Sequence, residues 1–152
     1  MKNRSILSIF TLSALLIGIF TQTACSKSGA NEQEQILAYA KKNNSTYVQD
    51  PSGLYYLIVK PGSGTKPRST STVSATYVGT YLNDKIFDAR TADFRLNGVI
   101  QGWQIGLQMI APGGEIKLLI PSSLGYGPSD YNGIPGGSPL YFNVKLESII
   151  TY

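Results

Sequence analysis

The sequence predicts an α+β fold: a curled antiparallel β-sheet whose apolar face wraps a short central α-helix, with another short helix ahead of it. Three observations carry this reading. Leu140, Phe142, Val144 and Leu146 alternate with Tyr141, Asn143, Lys145 and Glu147, the period of a half-buried strand. The segment Thr72 to Leu82 alternates likewise, with Val73, Ala75 and Tyr77 sharing one face. Between them, Trp103, Leu107 and Ile110 recur at i, i+4 and i+7, the spacing of one helix face.

Taken in chain order, residues 1–24 read as an address. Lys2 and Arg4 precede an apolar run from Ile6 to Phe20. That run is shorter than the ~20 residues a spanning helix needs, so a signal peptide is expected. Thr23-Ala24-Cys25 followed by Ser26-Lys27-Ser28-Gly29 resembles a bacterial lipoprotein signal, in which the cysteine becomes the lipidated first residue. Gln22 departs from the leucine usual there. Residues 25–50 then comprise Cys25, a polar tether over Ser26 to Asn31, and a short helix over Glu32 to Asn43 with Ile36, Leu37 and Ala40 along one side. The helix is compatible with packing on the domain, with dimerisation or with a stalk, and its composition does not choose among them.

Residues 51–152 form the globular domain. Pro51-Ser52-Gly53 turns into a strand over Leu54 to Lys60, and Pro61 to Ser69 is a loop. After the strand from Thr72 to Leu82, Asn83-Asp84 turns the chain into Lys85 to Asp88, and Phe94 to Leu96 is a brief extended piece. A helix is predicted over Gly102 to Ile110, ended by Ala111-Pro112-Gly113-Gly114. Glu115 to Ile120 is a strand, and Ser122 to Pro139 a long Gly/Pro/Tyr loop of the kind that carries function.

Composition removes whole classes of chemistry. The chain has no histidine, which excludes His-based acid–base catalysis, Ser–His or Cys–His nucleophiles and most zinc sites. A single cysteine excludes an intrachain disulfide and any CxxC motif. Of thirteen basic residues two lie in the signal, leaving eleven against nine acidic ones without a basic cluster, so nucleic acid is not an expected partner.

In sequence, TYVGTYLNDKIFDAR, FRLNGVIQGWQIGLQMIAPGGEIKLLIPSSLGYG and GIPGGSPLYFNVKL resemble the FKBP-type peptidyl-prolyl cis–trans isomerases in order and spacing, over roughly Leu54 to Ile149. The resemblance implies a small sheet curled around a helix, with an apolar pocket between them. Trp103 would floor that pocket, and Tyr77, Phe87, Phe94, Val99, Ile100 and Phe142 would wall it. Asp88 would sit at its rim, Tyr126 would offer a hydroxyl to a ligand carbonyl, the N–H of Ile100 would be a second donor, and Ile134 would close one side. Ala92 stands where many members carry another aromatic, which implies a thinner wall.

The resemblance implies an enzyme without cofactor or metal. Its partners would be proline-containing polypeptides and a macrolide inhibitor, and it would be a monomer, with dimerisation through the first helix left open. The signal implies a lipid anchor in the cell envelope, on the outer membrane facing the periplasm. Two alternatives stand beside catalysis: a module that only holds peptides in the same pocket, and a glycan-binding lipoprotein stacking sugars on Trp103 and tyrosines. The latter is disfavoured because these aromatics share faces with Val and Ile rather than Asn, Asp and Gln.

Overall fold

The computed structural model describes residues 27–151; the signal-like segment 1–24 and Cys25 lie outside the described residues. The chain runs through α1 (Lys27–Lys42), β1 (Val48–Gln49), β2 (Tyr55–Lys60), β3 (Thr72–Tyr81), β4 (Ile86–Arg95), α2 (Gln101–Leu107), β5 (Glu115–Ile120) and β6 (Leu140–Ile150). Short 3-10 turns occupy Leu96–Gly98 and Ser122–Leu124. The strands form one open antiparallel sheet in the order β1-β2-β5-β6-β3-β4. The expected α+β architecture is therefore present, with α2 packed on the inner face.

Alternation decides which side chains meet α2. Val73, Ala75 and Tyr77 of β3, and Leu140, Phe142, Val144 and Leu146 of β6, join Trp103 and Leu107 in one buried cluster. Strand β5 does not alternate because both of its faces are covered. Leu118 packs inward with α2, while the adjacent Leu119 packs outward with Ile36, Tyr39, Ala40 and Tyr55, and neither is exposed. Glycine sets the inner spacing: a Cβ on Gly106 would lie 2.6 Å from Leu118 Cδ2, and one on Gly102 2.7 Å from Ile120 Cγ2. Both glycines let helix and sheet close on each other, as close packing at those positions requires.

Helix α1 covers the outer face, which settles one question the composition left open: it packs on the domain. It starts at Lys27 rather than Glu32, and its buried side carries Glu32, Ile36, Tyr39 and Ala40. Leu37, expected on that side, is 49% exposed. Beyond its apolar contacts, Tyr39 Oη donates to Asp84 Oδ1 (3.1 Å) and Lys42 Nζ to Asp84 Oδ2 (2.8 Å), tying the helix to the β3–β4 turn.

Three further elements differ from expectation. The extended pieces around Phe87 and Phe94 are parts of one strand, β4, because backbone pairing with β3 carries the chain through the polar stretch Asp88 to Asp93. Helix α2 ends at Leu107, and Ile110 reaches the core from the turn beyond it. The two-residue β1, pairing Val48 with Tyr56, has no sequence signal of its own.

The β3–β4 register contains a bulge that shapes the site. Gly79 pairs with Asp88 but Thr80 pairs with Ile86, so Phe87 is the extra residue. Asp88, Arg90, Ala92 and Phe94 face the same side as Tyr77, and the bulge brings Phe87 to that side too.

Candidate functional site

The inner face of β3, β4 and β6 stops short of being filled. An open cleft of about 900 Å³ lies between it, the start of α2 and the β5–β6 loop. All ten of the expected pocket residues line it: Tyr77, Phe87, Asp88, Phe94, Val99, Ile100, Trp103, Tyr126, Ile134 and Phe142. Ala92 is not among its lining residues, so no aromatic extends the wall beyond Phe94.

Trp103 occupies the first turn of α2 and is 3% exposed. Around it, Tyr77 (4.9 Å between ring centroids), Phe94 (5.4 Å) and Phe142 (5.4 Å) meet it edge to face. Such pairs contribute roughly 0.5–1.5 kcal/mol each beyond area burial, so the floor is rigid. The wall continues from Phe142 to Phe87 (5.5 Å) and from Phe87 to Tyr81 (5.3 Å). Gly79 makes the first of these contacts possible, since a Cβ there would lie 2.7 Å from Phe142 Cε1 and 2.8 Å from Phe87 Cζ.

One polar group is built into this apolar wall. Tyr77 Oη donates to Asp88 Oδ2 and accepts from Arg90 Nε at 2.9 Å, while Arg90 Nη2 stands 3.6 Å from the same carboxylate oxygen. Burial, then the bond to Asp88, pushes the Tyr77 hydroxyl up to about 12. Arg90 is held above its ordinary range by the Tyr77 oxygen it donates to. Tyr77 is therefore a neutral donor committed to Asp88, and Asp88 is fixed at the rim.

Three donors remain uncommitted among the described residues, one of them the buried Trp103 Nε1–H in the floor. The Ile100 N–H, at the N-cap of α2, makes no hydrogen bond among the described residues, as helix starts leave their first amides free. The Tyr126 hydroxyl also has no partner among them, and its ring stacks on Tyr131 at 5.0 Å and 14°. Burial, followed by Tyr131 and the Asp88 charge, raises the Tyr126 hydroxyl above its ordinary value, so it stays protonated. Ile134, 7% exposed, is held in a two-bond bridge with Tyr131 (2.9 and 2.8 Å) that closes the loop side.

The cleft is thus an aromatic-walled trough with a fixed carboxylate at its rim and three unpartnered donors, Ile100 N–H, Tyr126 O–H and Trp103 Nε1–H. The FKBP-type peptidyl-prolyl cis–trans isomerase family model matches residues 63–147, which span β3 through most of β6 and every lining residue.

The chain belongs to the FKBP-type family.

Among curated relatives, the FKBP-type isomerase FkpA of Escherichia coli (strain K12) is 44% identical over 103 residues, covering 64% of this chain and 38% of FkpA. The outer membrane protein MIP of Legionella longbeachae is 34% identical over 116 residues, covering 72% of this chain and 50% of that protein. The crystal structure of FkpA from Escherichia coli superposes with a TM-score of 0.73 at 38% identity, covering 80% of this chain and 59% of that one. The chain therefore spans about two fifths to half the length of these curated relatives.

Four contributors escaped the sequence reading of this FKBP-type cleft. Arg90 joins through its cross-strand pairing with Tyr77, and a continuous β4 would have placed it beside Asp88 at i and i+2. Tyr81 extends the Val73–Ala75–Tyr77 alternation by two more steps, a signal that was available. Tyr131 and Gly79 carry no such mark, since each is defined by what it touches.

Proposed function

We propose that this chain is a peptidyl-prolyl cis–trans isomerase that accelerates X–Pro isomerisation in exported proteins without covalent chemistry. The carrying observation is an aromatic-walled trough with two uncommitted donors, Ile100 N–H and Tyr126 O–H, at its mouth. The X–Pro bond turns over a barrier of ~20 kcal/mol, which requires neither proton abstraction nor nucleophilic attack. The twisted amide has lost resonance and carries a smaller dipole than the planar one. An apolar site therefore disfavours the planar ground state more than the transition state, which is differential binding.

In this reading Trp103 supports the proline ring, with Tyr77, Phe87, Phe94, Val99 and Phe142 excluding water around it. Ile100 N–H and Tyr126 O–H hold the flanking carbonyl groups and fix the twist. Asp88, oriented by Tyr77 and Arg90, acts electrostatically on the rotating carbonyl. Ile134 closes the loop side. A macrolide competing with the proline would occupy the same trough, and quenching of Trp103 emission on its addition would report it.

The test is isomerisation of a Leu-Pro or Phe-Pro peptide by the folded chain. Acceleration is expected; its absence at micromolar protein would reject catalysis and leave a peptide-holding module. For location, the signal-like segment 1–24 and the similarity to a relative named as an outer membrane protein support the bacterial cell envelope. Within it, Cys25 is the lipidated residue and the anchor lies in the outer membrane facing the periplasm, two acyl chains giving stable attachment. Labelling with palmitate that survives in Cys25→Ser would reject the anchor.

A further inference from the structure

Outside the family match lies a buried carboxylate that the cleft does not use. Glu32, on α1, is 8% exposed and forms no ion pair among the described residues. Both of its oxygens are spent on one residue: Ser122 N–H donates to Oε2 at 2.8 Å, and Ser122 Oγ donates to Oε1 at 2.7 Å. Ser122 is equally buried and opens the 3-10 turn whose preceding residue, Pro121, supplies no side-chain cap. A carboxylate from a helix ninety positions away in the chain therefore satisfies the start of that turn.

The other side of the Ser122 residue faces the site. Its carbonyl accepts from Gly125 N–H (3.0 Å) and from Gly127 N–H (2.9 Å). These two glycines bracket Tyr126, so the backbone carrying the free hydroxyl is folded around Ser122. Ser122 is thus held from behind by Glu32 while it holds Tyr126 in front. Beside Ser122, the segment is held by Leu124 buried in the core, by Tyr126 stacked on Tyr131, and by Leu124 N–H to Pro121 O and Gly137 N–H to Gly127 O.

We propose that Glu32 is a positioning residue for Tyr126, through which the N-terminal helix sets the activity of the cleft. The activity arm of this proposal rests on the isomerase reading; the structural arm does not. A buried carboxyl group is costly unless it is hydrogen-bonded, and here Ser122 supplies one bond to each of its oxygens. Glutamine retains the geometry, since its carbonyl can accept from Ser122 N–H and its amide can donate to Oγ. Alanine leaves the buried Ser122 N–H unpaired and the turn free to shift.

The experiment uses the full chain with Glu32→Ala, Glu32→Gln and Ser122→Ala, read by amide hydrogen exchange and by kcat/KM on an X–Pro peptide. In Glu32→Ala, exchange at Gly125 and Gly127 is expected to rise about tenfold or more while the β3 and β6 amides keep their protection. The same variant should lose roughly 3–10-fold in kcat/KM, with Glu32→Gln within about twofold of wild type and Ser122→Ala between them. In a Tyr126→Phe background, Glu32→Ala should cost less than about twofold, because the hydroxyl it positions is already gone. Asp84→Ala, which releases the far end of α1, serves as control and should leave exchange at Gly125 and Gly127 unchanged.

Unchanged exchange at Gly125 and Gly127 in Glu32→Ala overturns the proposal, whatever the activity. So does an equal loss of kcat/KM with and without the Tyr126 hydroxyl, or the same loss in Asp84→Ala. An inactive wild-type chain would sink the isomerase reading, and the exchange measurement would still decide the positioning role.

Discussion

Removing one oxygen atom tests how the wall of the cleft is held. Tyr77→Phe keeps the ring and its edge-to-face contacts with Trp103 and Phe94 but deletes the hydroxyl shared by Asp88 and Arg90. Hydrogen bonds to charged groups are worth roughly 1.5–3 kcal/mol each when buried. Here the charged partners are partly open, with the Arg90 and Asp88 side chains 60% and 38% exposed, so water replaces part of what is lost. The 3.6 Å gap between Arg90 and Asp88 can also close. We expect a total cost of about 1–2 kcal/mol. For a domain of this size, that is a fall in Tm of about 4–8 °C. If Tyr77 acts by orienting Asp88, kcat/KM on an X–Pro peptide falls roughly 3–10-fold, and the loss vanishes when Asp88→Ala is already present. The assay is a double-mutant cycle with thermal denaturation of each variant. Additive losses in activity, or an unchanged Tm in Tyr77→Phe, would refute the orienting role.

Tyr126→Phe removes a hydroxyl with no partner among the described residues, so Tm should stay within error while kcat/KM drops about 2–10-fold; a large stability loss would show that the hydroxyl is structural. Gly79→Ala pushes a methyl into Phe87 and Phe142, and we expect about 1–3 kcal/mol of destabilisation with a raised KM; an unchanged KM would mean that the two rings are not a substrate wall. At high pH the sign follows from Tyr39 and Tyr77, whose folded values of about 12 lie above the ordinary value near 10. Between about pH 10 and 12 the folded chain holds more protons than the unfolded one, so stability is full below 10 and falls as pH rises through that window. Titration of tyrosinate absorbance beside alkaline denaturation checks this, and early ionisation of both groups would contradict it.

How far the sequence disclosed this depends on where each signal resides. Strands β3 and β6 and the buried face of α2 were legible because each repeats apolar residues at its own period. The edge strand β4 shows in sequence only as two fragments, since its middle, Asp88 to Asp93, is held by pairing to β3 and buries little. For α1 the pattern admits two phases: Ile36, Tyr39 and Ala40 make the i, i+3, i+4 stripe that meets the sheet, whereas the stripe through Leu37 points away from it. The ten lining residues came from motifs that the family resemblance ordered. Arg90 and Glu32 were invisible for one reason in two forms. Each acts through a partner fixed by register or tertiary contact, and no local pattern encodes such a partner.

The bulge at Phe87 makes the site sensitive to chain length as well as to chemistry. One extra residue on β4 lets two neighbours, Phe87 and Asp88, reach the same cleft, where an even pairing would send them to opposite faces. A deletion within Ile86 to Asp88 would restore even pairing and leave only one of them there, with every atom of Trp103, Tyr126 and Ile100 untouched. Loop insertions in Ser122 to Pro139 meet no such parity constraint, though the Ser122 turn, the Gly127–Gly137 and Asp130–Gly136 bonds and the Tyr131–Ile134 bridge limit where they fit. Variation in length is thus channelled to one rim of the cleft and barred from the other, so the loop is the side on which partner preference can diversify.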